Sequence, residues 1–347
     1  MRFPAILLLC VTLLVGACRP NDAPYRETFY VFGTLVEFVV WDSDADTART
    51  AVRDAAHLLQ RYHDAWHAWR PGQVATVNAA FARGETARID PELARLIAVS
   101  QSLNTASGGL FDPGIGALIA AWGFHDDTPP EGRAPPLGAI EDYLRTRPTI
   151  AQVTVDGDQI RSANPAVRLD FGAIAKGYAL DRAMEILARH GLKNGLINAG
   201  GDLNVAGTAP GRPWRVAIRN PVGWGAVAWI EARNGEAIYT SGNYERFLEY
   251  EGVRFAHILD PRTGMPIHHI VSATVISDNG ALADAAATAL SVAGADWPAV
   301  ARQLGVTQAL IIGEDGAIEA TPAMAKRLRG LSAAQHLTLK NPARSAS

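Results

Sequence analysis

Cysteine occurs at two positions in this chain, 10 and 18, both close to the N-terminus. Whatever folds after Cys18 must do so without a disulfide and without a thiolate metal site. Arg2 and an apolar run over residues 5–16, broken only by Thr12, lead into Val15-Gly16-Ala17-Cys18. A charged start, a short apolar run and small residues before a cysteine have the form of a lipoprotein signal, with the Cys18 thiol as the point of lipid attachment. An ordinary secretory signal with an incidental cysteine is the alternative. The run is shorter than the roughly twenty residues a spanning helix requires. The expectation is a signal over 1–17, a tether over 18–27 and a chain anchored through Cys18 to the periplasmic face of a bacterial membrane. Several acyl chains on one cysteine suffice for stable anchoring.

A fold without cross-links rests on its apolar core. The chain has the composition for one: 48% hydrophobic and 19% charged residues place it among globular proteins. A net charge of −3, with no basic run, argues against nucleic acid as a partner.

The pattern along the chain mixes strands and helices without strict alternation, which predicts an α+β domain over 28–325 and a C-terminal tail over 326–347. Residues 28–41 are rich in β-formers, with Gly33 as a bend. Residues 46–69 carry Ala51, Ala55, Leu58, Leu59 and Tyr62 at helical spacing, with Asp46 as the expected cap. Pro91 opens a helix over 90–107 that Gly108-Gly109 ends. Residues 126–136 read as a loop, and 153–160 as a hairpin around Asp156-Gly157. Helices are expected over 178–190, 281–292 and 297–304. Strands are expected over 214–219, 227–232, 237–240 and 247–250, with a last hairpin over 309–319.

Three patches stand apart from a core pattern. In Arg168-Leu169-Asp170-Phe171-Gly172-Ala173-Ile174-Ala175-Lys176-Gly177-Tyr178, a carboxylate, small residues and a lysine lie at a helix entrance, a setting that suits phosphate but also a plain turn. Asn198-Ala199-Gly200-Gly201-Asp202 follows a buried strand and reads as a tight turn, with or without a ligand. In the third, Ser241 to Arg246 and His257 to Gly264 precede Asp284-Ala285-Ala286-Ala287-Thr288. Asp284 and Thr288 are four apart on a helix, so both project from one face. Such hard oxygen donors suit Mg²⁺, and a carboxylate on an otherwise apolar helix needs a partner. His257, among polar groups, is the histidine best placed for acid–base work near neutrality. His57, His63 and His67 read as surface histidines, and His268-His269 as a solvated pair.

Together these blocks, in this order, resemble the FAD:protein FMN transferases, the ApbE family. The segment Leu169-Asp170-Phe171-Gly172-Ala173-Ile174-Ala175-Lys176-Gly177-Tyr178-Ala179-Leu180-Asp181 is similar to its central signature, and the resemblance runs from Phe32-Gly33-Thr34 to about residue 320. It implies a T-fold-like α+β domain, FAD as donor, Mg²⁺ as cofactor, and transfer of FMN to a Thr or Ser hydroxyl of a periplasm-facing flavoprotein, with AMP leaving. It implies metal ligation by the Ala173 carbonyl, Asp284 and Thr288. It implies flavin-dinucleotide contacts at Phe32, Trp69, Leu110, Phe111, Asp112, Asp170, Lys176 and Ile258, and an acid–base role for His257. The chain departs from the family at Asp112-Pro113-Gly114, where the family has Asp-Pro-Thr, and at Gln73-Val74-Ala75-Thr76-Val77-Asn78, where of a polar block only Asn78 is retained. Hydrolysis of FAD to FMN and AMP, or flavin binding without chemistry, are the alternatives at the same site.

Overall fold

The computed structural model describes residues 23–125, 132, 134–244, 246–332 and 336–342. The segment expected to be a signal, Cys18, most of the 126–136 stretch and Glu245 lie outside the described residues. Strands β1 (Tyr25–Val31) and β2 (Thr34–Trp41) form an antiparallel hairpin. Its two-residue turn places Phe32 and Gly33 at positive φ, the geometry that matches strand twist. Helix α1 (Ala45–Trp66) follows. Asp44, not Asp46, caps it, because the Asp44 side chain accepts the Thr47 N–H at 2.8 Å. Ala51, Ala55, Leu59, Tyr62 and Trp66 form its buried stripe.

Helix α2 (Gln73–Ala82) occupies the stretch read as a degraded polar block; Val74, Val77 and Phe81 face the core. The short β3 (Ala87–Arg88) leads to α3 (Pro91–Ala106), which starts at the expected proline and is capped by Asp90. Helices α4 (Gly116–Trp122) and α5 (Leu137–Thr146) were not expected. They pack with Leu248 and Leu259 into a small separate core around Trp122 and Tyr143. The hairpin β4 (Val153–Asp156) and β5 (Gln159–Ser162) forms as predicted. Helix α6 (Ala175–Arg189) begins three residues before its predicted start, which draws Lys176 and Gly177 into its first turn.

Then come β6 (Asn194–Ala199), β7 (Asp202–Ala206), β8 (Trp214–Arg219), β9 (Ala226–Ala232), β10 (Ala237–Gly242), β11 (Phe247–Tyr250), β12 (Val253–Ala256) and β13 (Ile270–Ser277). Helices α7 (Gly280–Ala293) and α8 (Trp297–Gln303) precede the hairpin β14 (Gln308–Gly313) and β15 (Ile318–Ala320), short α9 (Pro322–Ala325) and β16 (Leu337–Leu339). Among the described residues the main sheet runs β1-β2-β6-β7-β10-β13-β14-β15-β16. It is antiparallel but for the β15–β16 pair. The mixture is α+β, as expected.

Helices α1, α6 and α7 cover one face of the sheet over Phe38, Ile197, Tyr239 and Val275. The β8–β9 ribbon covers the other over Val39, Ile238, Ile276 and Leu310. The stretch read as a tail joins this second layer. Arg327 donates to both carboxylate oxygens of Glu236, at 2.6 and 2.7 Å, and β16 pairs with β15. No helix among the described residues is long and apolar enough to cross a membrane.

Candidate active site

Every non-covalent site residue predicted from the sequence lines one cavity of about 590 Å³, a volume typical of small-molecule sites. Its lining is partly polar. The strand ends supply Ala199, Gly200, Thr240 and Ser241, the α6 entrance supplies Ala173 and Lys176, and α7 supplies Asp284 and Thr288. Its ring-bearing lining is Phe32, His63, Trp66, Trp69, Phe124 and His125. Leu110, Phe111, Asp112 and Ile258 complete it.

The Asp284 side of the lining is built by a helix crossing. A Cβ on Gly177 would stand 2.2 Å from the Gly280 carbonyl oxygen and 2.8 Å from Asp284 Cβ, so α6 and α7 meet backbone to backbone. Because α6 starts early, its first-turn Gly177 N–H has no helical partner and donates instead to Asp284 Oδ2 at 2.9 Å. Asp181, two turns into α6, accepts the Gly280 and Ala281 N–H groups that open α7, and Asn204 as well. The signature thus places α7 so that Asp284 and Thr288 face the cavity. Burial pushes the Asp284 carboxyl upward, and the neighbouring Lys176 charge pulls it back. Thr288 and Ser241 hydroxyls stand 3.1 Å apart. Lys176 forms an ion pair with Asp202, whose other oxygen accepts Thr240 N–H at 3.0 Å.

This donor set fits a hard divalent ion. A carboxylate, a hydroxyl and the Ala173 backbone border the same space, and a carboxylate 6% exposed gains from a cation. Among the described residues no three His, Cys, Asp or Glu side chains gather into a closed metal cluster.

His257 borders the cavity with part of its ring, but the expectation that it titrates near neutrality does not hold. Burial lowers its pKa to about 4, so the ring is neutral at physiological pH. Its Nδ1 lies 3.1 Å from the Arg246 carbonyl oxygen, which can only accept, so Nδ1 carries the proton and Nε2 is the basic nitrogen. Trp69 Nε1 donates to Asp170 Oδ2 at 3.1 Å, and Asp170 Oδ1 accepts Gly172 N–H at 2.8 Å. Asn78 explains its own retention: its side-chain amide bonds both the N–H and the carbonyl of Leu169, at 2.7 and 2.9 Å, holding the residue before Asp170.

Asp112 borders the cavity, yet its Oδ1 accepts the Gly114 and Ile150 N–H groups at 2.7 and 2.9 Å. Burial raises its carboxyl pKa. Gly114 has a packing reason, since a Cβ there would come within 2.4 Å of Ile150 N. The departure from Asp-Pro-Thr therefore accompanies a close approach of two backbones.

His63 and His67 are corrected from surface histidines to cavity residues. His63 meets Phe32 and His67 edge to face, and His67 Nδ1 accepts the Trp69 and Arg70 N–H groups at 3.2 Å. His57 is exposed, as are His268 and His269. His63 is next to Tyr62 in the buried α1 stripe, a spacing that could have revealed its position. Thr240 opens the third sequence patch, whereas His125 carried no such signal.

The profile of the ApbE family matches residues 32–311. A Rhodobacter capsulatus protein named FAD:protein FMN transferase is 48% identical over 324 residues, covering 92% of this chain and 62% of that protein. The chain therefore spans less than two thirds of that relative. A Treponema pallidum protein of the same name is 31% identical over 349 residues, covering 94% of this chain and 95% of its own length. The crystal structure of an ApbE protein from Thermotoga maritima matches with a TM-score of 0.80 at 32% identity, covering 88% of this chain and 100% of that one. With its signature at a helix crossing and the family profile matching residues 32–311, the chain belongs to the ApbE family.

Proposed function

We propose that this protein is a Mg²⁺-dependent flavin transferase that moves FMN from FAD to a Thr or Ser hydroxyl of an acceptor flavoprotein and releases AMP. The supporting observation is the meeting, in one cavity, of three oxygen donors, a lysine, a neutral histidine and several aromatic side chains. The new bond joins the acceptor oxygen to the FMN phosphorus. The bond from that phosphorus to the anhydride oxygen breaks, and AMP carries the electron pair away. Asp284, Thr288 and the Ala173 carbonyl would hold the ion, which when bound offsets the charge of the two phosphoryl groups.

The remaining work falls to side chains of this chain. Lys176, tied to Asp202, presents positive charge to the phosphates. His257 Nε2 takes the hydroxyl proton as the new bond forms; the Arg246 carbonyl fixes the ring's tautomer for that task. Trp69 and Phe32 offer flat apolar surface to ring systems, and Trp69 also holds the Asp170 carboxylate in place.

Incubation of the full chain with FAD, Mg²⁺ and an acceptor flavoprotein should give covalent flavin fluorescence on the acceptor in a denaturing gel, lost on chelation. Free FMN with no labelled protein would mean hydrolysis. Tight FAD binding with no AMP would mean a carrier. Anchoring through Cys18 at the periplasmic face belongs to the same proposal; Cys18→Ala should release the protein from membranes and abolish incorporation of labelled fatty acid.

A further inference from the structure

Strand β10 ends at the cavity, and its last residues are held from two sides. Pairing with β7 stops after Ile238, whereas pairing with β13 continues through Gly242. The Thr240 N–H turns to Asp202 Oδ1 at 3.0 Å, and Thr240 Oγ1 lies 2.9 Å from Thr274 Oγ1 on β13. Side chains alternate along a strand. Ile238 faces the β8–β9 ribbon and Tyr239 the helices, so Ser241 stands on the helix side. There its hydroxyl is 3.1 Å from the Thr288 hydroxyl of α7.

A hydroxyl inside a helix commonly donates to the carbonyl one turn back. Ser291 does so on this same helix, to Ala287 at 2.9 Å. Thr288 meets a strand instead. Asp284, one turn before it, receives the Gly177 N–H from α6 at 2.9 Å. Each of the two α7 side chains that line the cavity is thus met by a group from a different element. Ser241 itself lines the same space, as does Ala173.

The geometry points to Ser241 as a positioning residue for the ion site, a role that rests on the Mg²⁺-dependent reading above. A hydroxyl oxygen that gives a lone pair to a cation must send its proton elsewhere, and Ser241 Oγ can accept it. That hydrogen bond fixes the direction of the Thr288 O–H and leaves the oxygen's lone pairs for the cavity. Without Ser241, the alternative acceptor is the Asp284 carbonyl one turn back, the usual partner of a helical threonine. The hydroxyl would then turn along the helix, and the site would lose a fixed donor. Outer contacts of this kind are worth about 10- to 100-fold in metal affinity.

The test titrates Mn²⁺ into the full chain, with FAD present and absent, and reads free Mn²⁺ by electron paramagnetic resonance. Ser241→Ala should weaken Mn²⁺ binding about tenfold. Ser241→Thr, which keeps an oxygen, should recover most of that loss. Because Ser241 acts through Thr288, the two losses should not add: the double alanine variant should bind Mn²⁺ no more weakly than Thr288→Ala alone. FAD affinity measured without metal should stay at the wild-type value, and excess Mg²⁺ should restore flavin transfer by Ser241→Ala. Unchanged Mn²⁺ affinity in Ser241→Ala, additive losses, or equal losses in Ser241→Ala and Ser241→Thr would overturn the role. A wild-type chain that binds no Mn²⁺ under either condition would remove the ion itself, and the role with it. Non-additive losses in a chain that transfers no flavin would uphold Ser241 and sink the transferase reading instead.

Discussion

Two carboxylates stand one helix apart at the α6–α7 crossing, and their surroundings differ in a way that separates support from chemistry. Asp181 spends both oxygens on the N–H groups that open α7 and on Asn204. Asp284 takes a backbone hydrogen bond from Gly177 and otherwise borders the cavity. Burial raises both carboxyl pKa values. At Asp181 three backbone and side-chain donors compensate within the protein. At Asp284 the compensation includes Lys176 across open space, and the remainder is left for a ligand. Loss of the first should cost stability, and loss of the second should cost activity.

The sharpest test is an exchange of charge for amide at each position. Asp284→Asn should keep the Gly177 hydrogen bond and unfold in urea at or above the wild-type midpoint, because a buried charge has been removed. Its FMN transfer should nevertheless fall by about 100-fold or more, the scale of losing a metal ligand. Asp181→Ala should show the reverse order, losing about 2–4 kcal/mol in urea unfolding because the N–H groups at the start of α7 are left unpaired. If Asp284→Asn is the less stable of the two, the division between them fails.

Gly177→Ala probes the contact both regions share. A Cβ there cannot be placed without parting the helices, so a loss of about 1–3 kcal/mol is expected, together with a drop in transfer. Stability is read by urea unfolding and transfer by acceptor fluorescence.

A smaller effect comes from His257. The folded protein holds its pKa at about 4, whereas the unfolded chain titrates near 6.5. As pH falls through that window the unfolded chain binds a proton that the folded one refuses, so stability is lost from about 6.5 down to about 4. The loss is at most about 3 kcal/mol, since part of the ring meets the cavity. His257→Gln should flatten that slope in urea unfolding. Transfer in the wild type should show no step from this group above about pH 5, and a step near 6.5 would contradict the buried ring. Smallest is Trp69→Phe, which removes one hydrogen bond to Asp170 and should weaken FAD binding by about 1 kcal/mol in a fluorescence titration.

The residues proposed to carry chemistry were more legible than the elements that hold them. Asp284 and Thr288 at helical spacing, and Lys176 at a helix entrance, could be read as patches because polar groups stand out from apolar surroundings. The family resemblance joined those patches to Phe32, Trp69 and Ile258, which no local pattern connects. Strand β13 went unread because Ile270–Ser277 is buried on both faces: Val275 faces the helices and Ile276 the ribbon, so no alternation survives. Helix α2 was hidden for a different reason. Its Asn78 was taken as part of a polar block, although Val74, Val77 and Phe81 have helical spacing. The pKa of His257 could not be read at all, because it follows from the depth at which packing sets the ring.

The Asp181 side chain and the bare backbone of the crossing together determine where the Asp284 carboxylate sits. The Gly177 amide reaches Asp284 because two bare α-carbons, at Gly177 and Gly280, let the helices close up. Enlarging any of the buried alanines of α7 would part the same packed helices, so a redesign for heat tolerance has to begin away from this crossing.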